Sequence, residues 1–229
     1  MDVTGIIPIH NEKKVLARVI DSVEGQTHRP EELFLVLDAC TDGSEAIAQR
    51  YPAQILRTDV RNTAAAVLAA VPRASHEVLI LFDGNTLVPT DFVAGLLEVY
   101  ERTHADIVEW HGGMMLLTKS TVGRYGSFSR MYLWTLEYFL RVESMGGRVV
   151  RLGGPYTRLK RSPLSRNVRY GLDYSTLSER YNLSPFFRIG TKSGWVSDLF
   201  AALGTAVGHA SRGRLVWALH ATAKALGRT

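Results

Sequence analysis

The chain has 229 residues, 46% of them apolar, enough to fill the core of one large α/β domain or two small ones. A single cysteine excludes an internal disulfide, and no run approaches the roughly 18 apolar residues of a membrane-spanning helix. The net charge of +5 suits plain solubility or an anionic partner such as a nucleotide phosphate, a lipid headgroup or a nucleic acid.

The opening, MDVTGIIPIHNEKK, has no basic region ahead of an apolar stretch, so no signal peptide and a cytoplasmic location are expected. TGIIPI (4–9) reads as a buried strand, and EKKVLARVIDSVEGQ (12–26) has apolar residues at helical spacing up to Gly25. ELFLVLD (32–38) is a second strand, followed by the turn ACTDGS and a helix over 44–51. AQILRT (53–58) is a third strand, and an Ala-rich helix over 62–74 is cut short by Pro72. EVLILFD (77–83) is a fourth strand ending in Asp83-Gly84-Asn85. Thr90 or Asp91 caps a helix over 92–102, and ADIVEWHG (105–112) is a fifth strand.

Continuous apolar strands alternating with helices predict a parallel sheet covered on both faces, with ligands beyond the carboxyl ends of the strands. The predicted tips are Pro8 to Asn11, Asp38, Thr58-Asp59 with Arg61, and Asp83-Gly84-Asn85, so polar and acidic groups converge on one edge.

The second half is less regular. Residues 127–145 predict an aromatic-rich packing helix, 147–154 a strand, 155–172 a basic loop, 173–182 a helix headed by Asp173, and 186–190 a short strand. Two amphipathic helices break near Ser211-Arg212-Gly213 in the tail. That extension, 193–229, reads as a membrane-surface face, as packing on the core or as self-association; 1–192 is the main domain.

No GxGxxG follows the first strand and no GxxxxGK[ST] occurs, which disfavours dinucleotide oxidoreductases and P-loop enzymes. HExxH, CxxC and GxSxG are absent too, removing the usual zinc and serine-hydrolase signatures.

The motifs that are present resemble those of the inverting family 2 glycosyltransferases of GT-A fold. IIPIHNE (6–12), DSVEGQ (21–26), LVLDACTDGS (35–44) and DGNTLVPTDF (83–92) fall in that family's order. GGPYTRLKRSPL (153–164) and LDYSTLSERYN (172–182) match more loosely. The resemblance implies a GT-A-like, mainly parallel sheet and transfer of one sugar from a nucleoside-diphosphate donor, with UDP the favoured base. Pro8, His10, Asn11, Glu12, Asp38, Arg61, Asp83, Gly84, Arg158 and Arg161 would then contact the donor. Asp83 and Asn85 would hold Mn²⁺ or Mg²⁺, and Asp173 would be the general base, with Asp106, Glu109 or His111 next in line.

Two departures stand out. Asn85 replaces the family's second Asp, so weaker cation binding is expected, and Leu172-Asp173 replaces its Glu-Asp pair. A plain turn at 83–85 and a helix cap at Asp173 are the bland alternatives. The Gln-x-x-Arg-Trp signature of processive relatives is absent. The acceptor is open: a lipid phosphate, a glycan, a protein or a modified nucleic acid. The nearest rival is a different transferase on the same scaffold, such as a nucleotidyltransferase, disfavoured because no basic glycine-rich signature follows the first strand; the rival from another class is a non-catalytic nucleotide-sugar or nucleic-acid binding module on the same fold.

Overall fold

The computed structural model describes residues 1–160, 164–183 and 195–212. Arg161, the predicted strand at 186–190, the domain boundary at 192 and the tail beyond 212 lie outside the described residues, as do the side chains of Trp195 and Phe200. The chain forms two compact units, one of residues 1–130 and 134–160, the other of 131–133 and 161–229.

The first unit opens with the alternation expected from the sequence. In order it comprises β1 (Val3–Ile9), α1 (Leu16–Glu24), β2 (Glu32–Asp38), α2 (Ser44–Ala48), β3 (Gln54–Thr58), α3 (Thr63–Ala70), β4 (Val78–Leu81), β5 (Thr86–Leu87), α4 (Phe92–Thr103) and β6 (Ile107–His111). After these come β7 (Met114–Thr118), α5 (Lys119–Tyr125), α6 (Trp134–Ser144), β8 (Val149–Arg151) and β9 (Thr157–Arg158). The main sheet has the order β3-β2-β1-β4-β7-β6-β8, with β7 alone running against its neighbours. A separate antiparallel ribbon joins β5 to β9.

Both faces of the sheet are covered, which is why its central strands are apolar throughout. One core gathers Ile7, Ile9, Leu35 and Ile80 with Val19 and Ile20 of α1 and Phe92 and Leu96 of α4. The other gathers Ile6, Val36 and Leu79 with Val67 of α3 and Tyr138 and Phe139 of α6. The aromatic residues of α6 are therefore packing residues, as expected.

One unassigned segment is filled and two second-half expectations are corrected. The segment after His111, unassigned in the sequence reading, turns through Gly112 and Gly113, with φ of 59° and 93°, into β7. The helix expected from 127 begins at Trp134, because α5 ends at Gly126, whose φ of 82° breaks the helical path. The basic loop contains β9, and a helix then starts at Leu164 rather than Asp173.

In the second unit that helix, α7 (Leu164–Arg180), packs on α8 (Trp195–Ser211). Gly204 lies against the backbone of Val168 and Gly208 against Ser175, so two small residues one turn apart let the helices approach closely. Contacts advance together along both, so they run in the same direction. Ala202, Thr205 and Ala206 of α8 are buried, whereas Leu203 and Val207 are exposed. Among the described residues no helix is long and apolar enough to cross a membrane.

Candidate nucleotide-sugar site

Parallel pairing brings the carboxyl ends of β1, β2, β3 and β4 to one edge. The chain winds from β1 outward through β2 and β3, then returns to place β4 on the other side of β1. Such a reversal opens a crevice at the strand ends, the usual ligand position in open α/β sheets. The turn Asp83-Gly84-Asn85 sits there. A Cβ on Gly84 would collide with the carbonyl oxygen of Pro8, so only glycine lets this turn lie against the tip of β1.

Around that turn the side chains are ordered by one another. Asp83 is partly exposed, and the Thr86 hydroxyl lies 3.2 Å from its Oδ2 and 3.4 Å from Asn85 Oδ1. The carboxylate and the amide oxygen therefore flank one hydroxyl. The other end of the amide, Nδ2, faces Glu12 Oε1 at 3.5 Å. This gives Asn85 a physical reason. An aspartate there would set a second negative charge against Glu12, whereas an amide turns its donor to Glu12 and its oxygen to the Asp83 side.

Glu12 is only 8% exposed. Burial pushes its carboxyl above the ordinary glutamate value, a rise opposed by Lys160 and Asn85. Lys160 Nζ lies 3.2 Å and 3.3 Å from the two carboxylate oxygens and 3.1 Å from Asn11 O. Arg158 Nη2 approaches Asp83 Oδ2 at 3.6 Å. Arg158 is carried by β9 of the ribbon and Lys160 by the bend that follows it, and Leu159 N–H donates to Asn85 O at 2.8 Å.

The remaining expected donor contacts are placed as follows. Asp38 is buried, and its oxygens accept from Thr58 Oγ1 and from the backbone N–H groups of Val60, Arg61 and Asn62. Four protein donors thus hold its carboxylate, which shapes the loop ahead of α3. Its backbone oxygen meets His10 Nδ1 at 2.7 Å. Asn11 Oδ1 accepts from Thr41 N–H, and Ser44 Oγ accepts from Glu12 N–H, so the β1 and β2 tips are stitched together. Arg61 is exposed, with a φ of 48°, and its side chain meets neighbouring Asp59 at 3.3 Å.

Asp173 lies well inside α7 in the second unit, so it is not a cap of that helix. Its Oδ2 accepts from Tyr132 N–H at 2.6 Å and Leu133 N–H at 3.1 Å. Burial raises its carboxyl above the ordinary aspartate value despite these two bonds. Of the reserve bases, Asp106 precedes β6, at the end of that strand away from His111, and binds Arg148 N–H. Glu109 accepts from Gly113 N–H, and the His111 ring stacks on Tyr156 at 4.4 Å.

Sequence reasoning singled out the basic loop 158–161 as a brace for a diphosphate or an anionic acceptor, but missed Thr86 and the pairing of Lys160 with Glu12 and Asn11. Thr86 carried a signal, being the residue that directly follows the Asp-x-Asn turn, at the start of β5. Lys160 carried none beyond its place in a basic run, because its partners lie 148 and 149 positions away.

A divalent cation fits the turn in kind. Asp83 and Asn85 offer hard oxygens beside a common hydroxyl, but one charge rather than two. Among the described residues no group of three His, Cys, Asp or Glu side chains is gathered to hold a metal.

Comparison with known proteins bears on the fold. The solved structures similar to the chain in fold include the following. A mannosyltransferase of Pyrobaculum calidifontis, in complex with GDP-Man and Mn²⁺, has a TM-score of 0.69 at 18% identity, over 99% of this chain and 75% of that one. Glucosyl-3-phosphoglycerate synthase of Mycobacterium tuberculosis, in complex with Mn²⁺, UDP and phosphoglyceric acid, has a TM-score of 0.68 at 16% identity, over 80% and 79%. A further structure of that synthase contains Mg²⁺ and UDP. No curated protein matches the sequence. The fold is that of the GT-A glycosyltransferases, and residues 4–112, which carry the crevice and its Asp-Gly-Asn turn, match Glycosyl transferase family 2.

Proposed function

We propose that the protein is a glycosyltransferase that moves a single sugar from a nucleoside-diphosphate donor, UDP-linked by preference, to an acceptor with inversion at the anomeric carbon. The observation that carries this reading is the reversal of strand order between β1 and β4, beside which Asp83 and the Asn85 amide oxygen flank Thr86. The family match over 4–112 supports it.

In such a transfer the acceptor hydroxyl attacks the anomeric carbon as the bond to the diphosphate breaks. Asp83 and Asn85 would hold a divalent cation, which when bound supplies positive charge to the departing diphosphate. Pro8, His10, Asn11 and Glu12 frame the nucleotide side of the crevice. Asp38 acts by fixing the loop of Arg61 and Asn62 rather than by offering free oxygens. Asp173 takes the proton of the acceptor hydroxyl, a role that its burial-raised affinity for protons suits.

The test is Asp173→Asn. Transfer should fall at least about a thousandfold, while calorimetric affinity for the nucleoside diphosphate stays within about twofold. Turnover retained by the variant moves the base elsewhere. The absence of a second acid at 85 favours one rival, a binding module without catalysis. Nucleotide-sugar binding with no nucleotide release would establish that rival.

A further inference from the structure

We propose that Lys160 and Arg158 form a built-in counter-charge for the donor's diphosphate, so that nucleotide binding at the Asp-Gly-Asn turn persists without a divalent cation. This rests on the donor-site reading above and assigns Lys160 a part in it.

The geometry points to this in three steps. First, the ribbon fixes where the cations stand. Arg158 and Lys160 alternate with Leu159, whose side chain packs on the first core and whose N–H is held by Asn85 O. Arg158 closes β9 and Lys160 follows in a bend, and both cations reach acids beside the turn: Asp83 at 3.6 Å and Glu12 at 3.2 Å. Second, the charges already balance. Two carboxylates face two cations, and position 85 is neutral, so an incoming dication meets a site with little net negative charge. Third, both cations keep an open side. The Arg158 side chain is 40% exposed and that of Lys160 is 50% exposed, while Glu12 is 9%. A guanidinium with five donors and an ammonium with three have N–H groups to spare for phosphate oxygens.

Calorimetric titration of the full chain with UDP and with GDP, in EDTA and in Mn²⁺, tests the proposal. Lys160→Met would strand the buried Glu12 carboxylate, so Glu12→Gln/Lys160→Met is measured beside Arg158→Met, with Arg102→Met at the exposed end of α4 as the charge control. Wild type should bind one of the nucleotides in EDTA within about tenfold of its affinity in Mn²⁺. The crevice variants should lose at least about tenfold in EDTA and less in Mn²⁺, and the control should change neither. Binding by wild type only in Mn²⁺, or unchanged EDTA binding in the crevice variants, overturns the proposal and leaves the transferase reading standing. Failure of wild type to bind either nucleotide in either buffer overturns both.

Discussion

At the scale of single residues the turn at 83–85 is governed by contact rather than by conformational preference. Gly84 has an ordinary backbone for its place, yet a methyl group there would overlap Pro8 O. Gly84→Ala should therefore cost at least about 2 kcal/mol in chemical denaturation and abolish nucleotide binding, because the turn must leave the β1 tip. That polar and acidic residues gather at this edge was legible in the sequence, since continuous apolar strands place their polar tips together in a parallel sheet. What each polar residue does was less so. Asp38 reads as a ligand contact from its place at a strand tip, but four protein donors surround it, three of them backbone N–H groups of a loop beyond β3. No local pattern announces such a loop-holding role. Asp173 went the other way: a helix start was read at a residue that lies within a helix, because Gly153, Gly154, Pro155 and Pro163 hid the start at Leu164.

At the scale of elements, Gln26 shows how a side chain outside a helix can set its start. Asp91 occupies the position before α4 but makes no side-chain capping bond. Gln26 Oε1 instead accepts from Val93 N–H at 3.0 Å, while its Nε2 donates to Ser22 O and Pro89 O. One buried amide thus ties the end of α1 to the segment between the turn and α4. Gln26→Ala should destabilise the protein by about 1–2 kcal/mol, read as a shift in denaturation midpoint, with Gln26→Glu recovering little because it lacks the donor. The elements found readily were the ones with strong period, β1 to β4 and their helices. β7 escaped because MMLLT is a short apolar run with no polar alternation, indistinguishable by pattern from a piece of helix. Its best signal was Gly112-Gly113, the residue pair that a tight hairpin favours.

At the scale of the whole molecule, the acid side of the stability profile follows from carboxylates that accept hydrogen bonds. Burial pushes the carboxyls of Glu31, Glu32 and Glu77 up, but bonds from Val3 N–H, from Thr4 and Ser75, and from Ser120 outweigh it, leaving each below the ordinary value of 4.5. Asp42 is likewise held below 3.8, where bonds from Ser44 and Lys13 outweigh burial. A depressed carboxyl stabilises the fold fully above its unfolded value and loses that contribution as pH falls through its folded value. Glu12 and Asp173, which are raised, act in the opposite sense, their stabilisation being lost as pH increases. With four groups against two, the thermal midpoint should drop as pH is lowered from about 5 to about 3, steepest below 4.5, and a flat profile there would contradict these assignments.

The position of β7 carries a consequence for how this protein may be cut. The stretch matching the transferase family stops at residue 112, inside the β6–β7 hairpin, while β7 itself is the strand wedged between β4 and β6. Truncation at that point would leave β6 with no neighbour to bind it to the sheet and would strip one whole side of β4. The half that matches the family is thus recognisable as a unit in the sequence, but it is not a piece that can be excised and expected to fold.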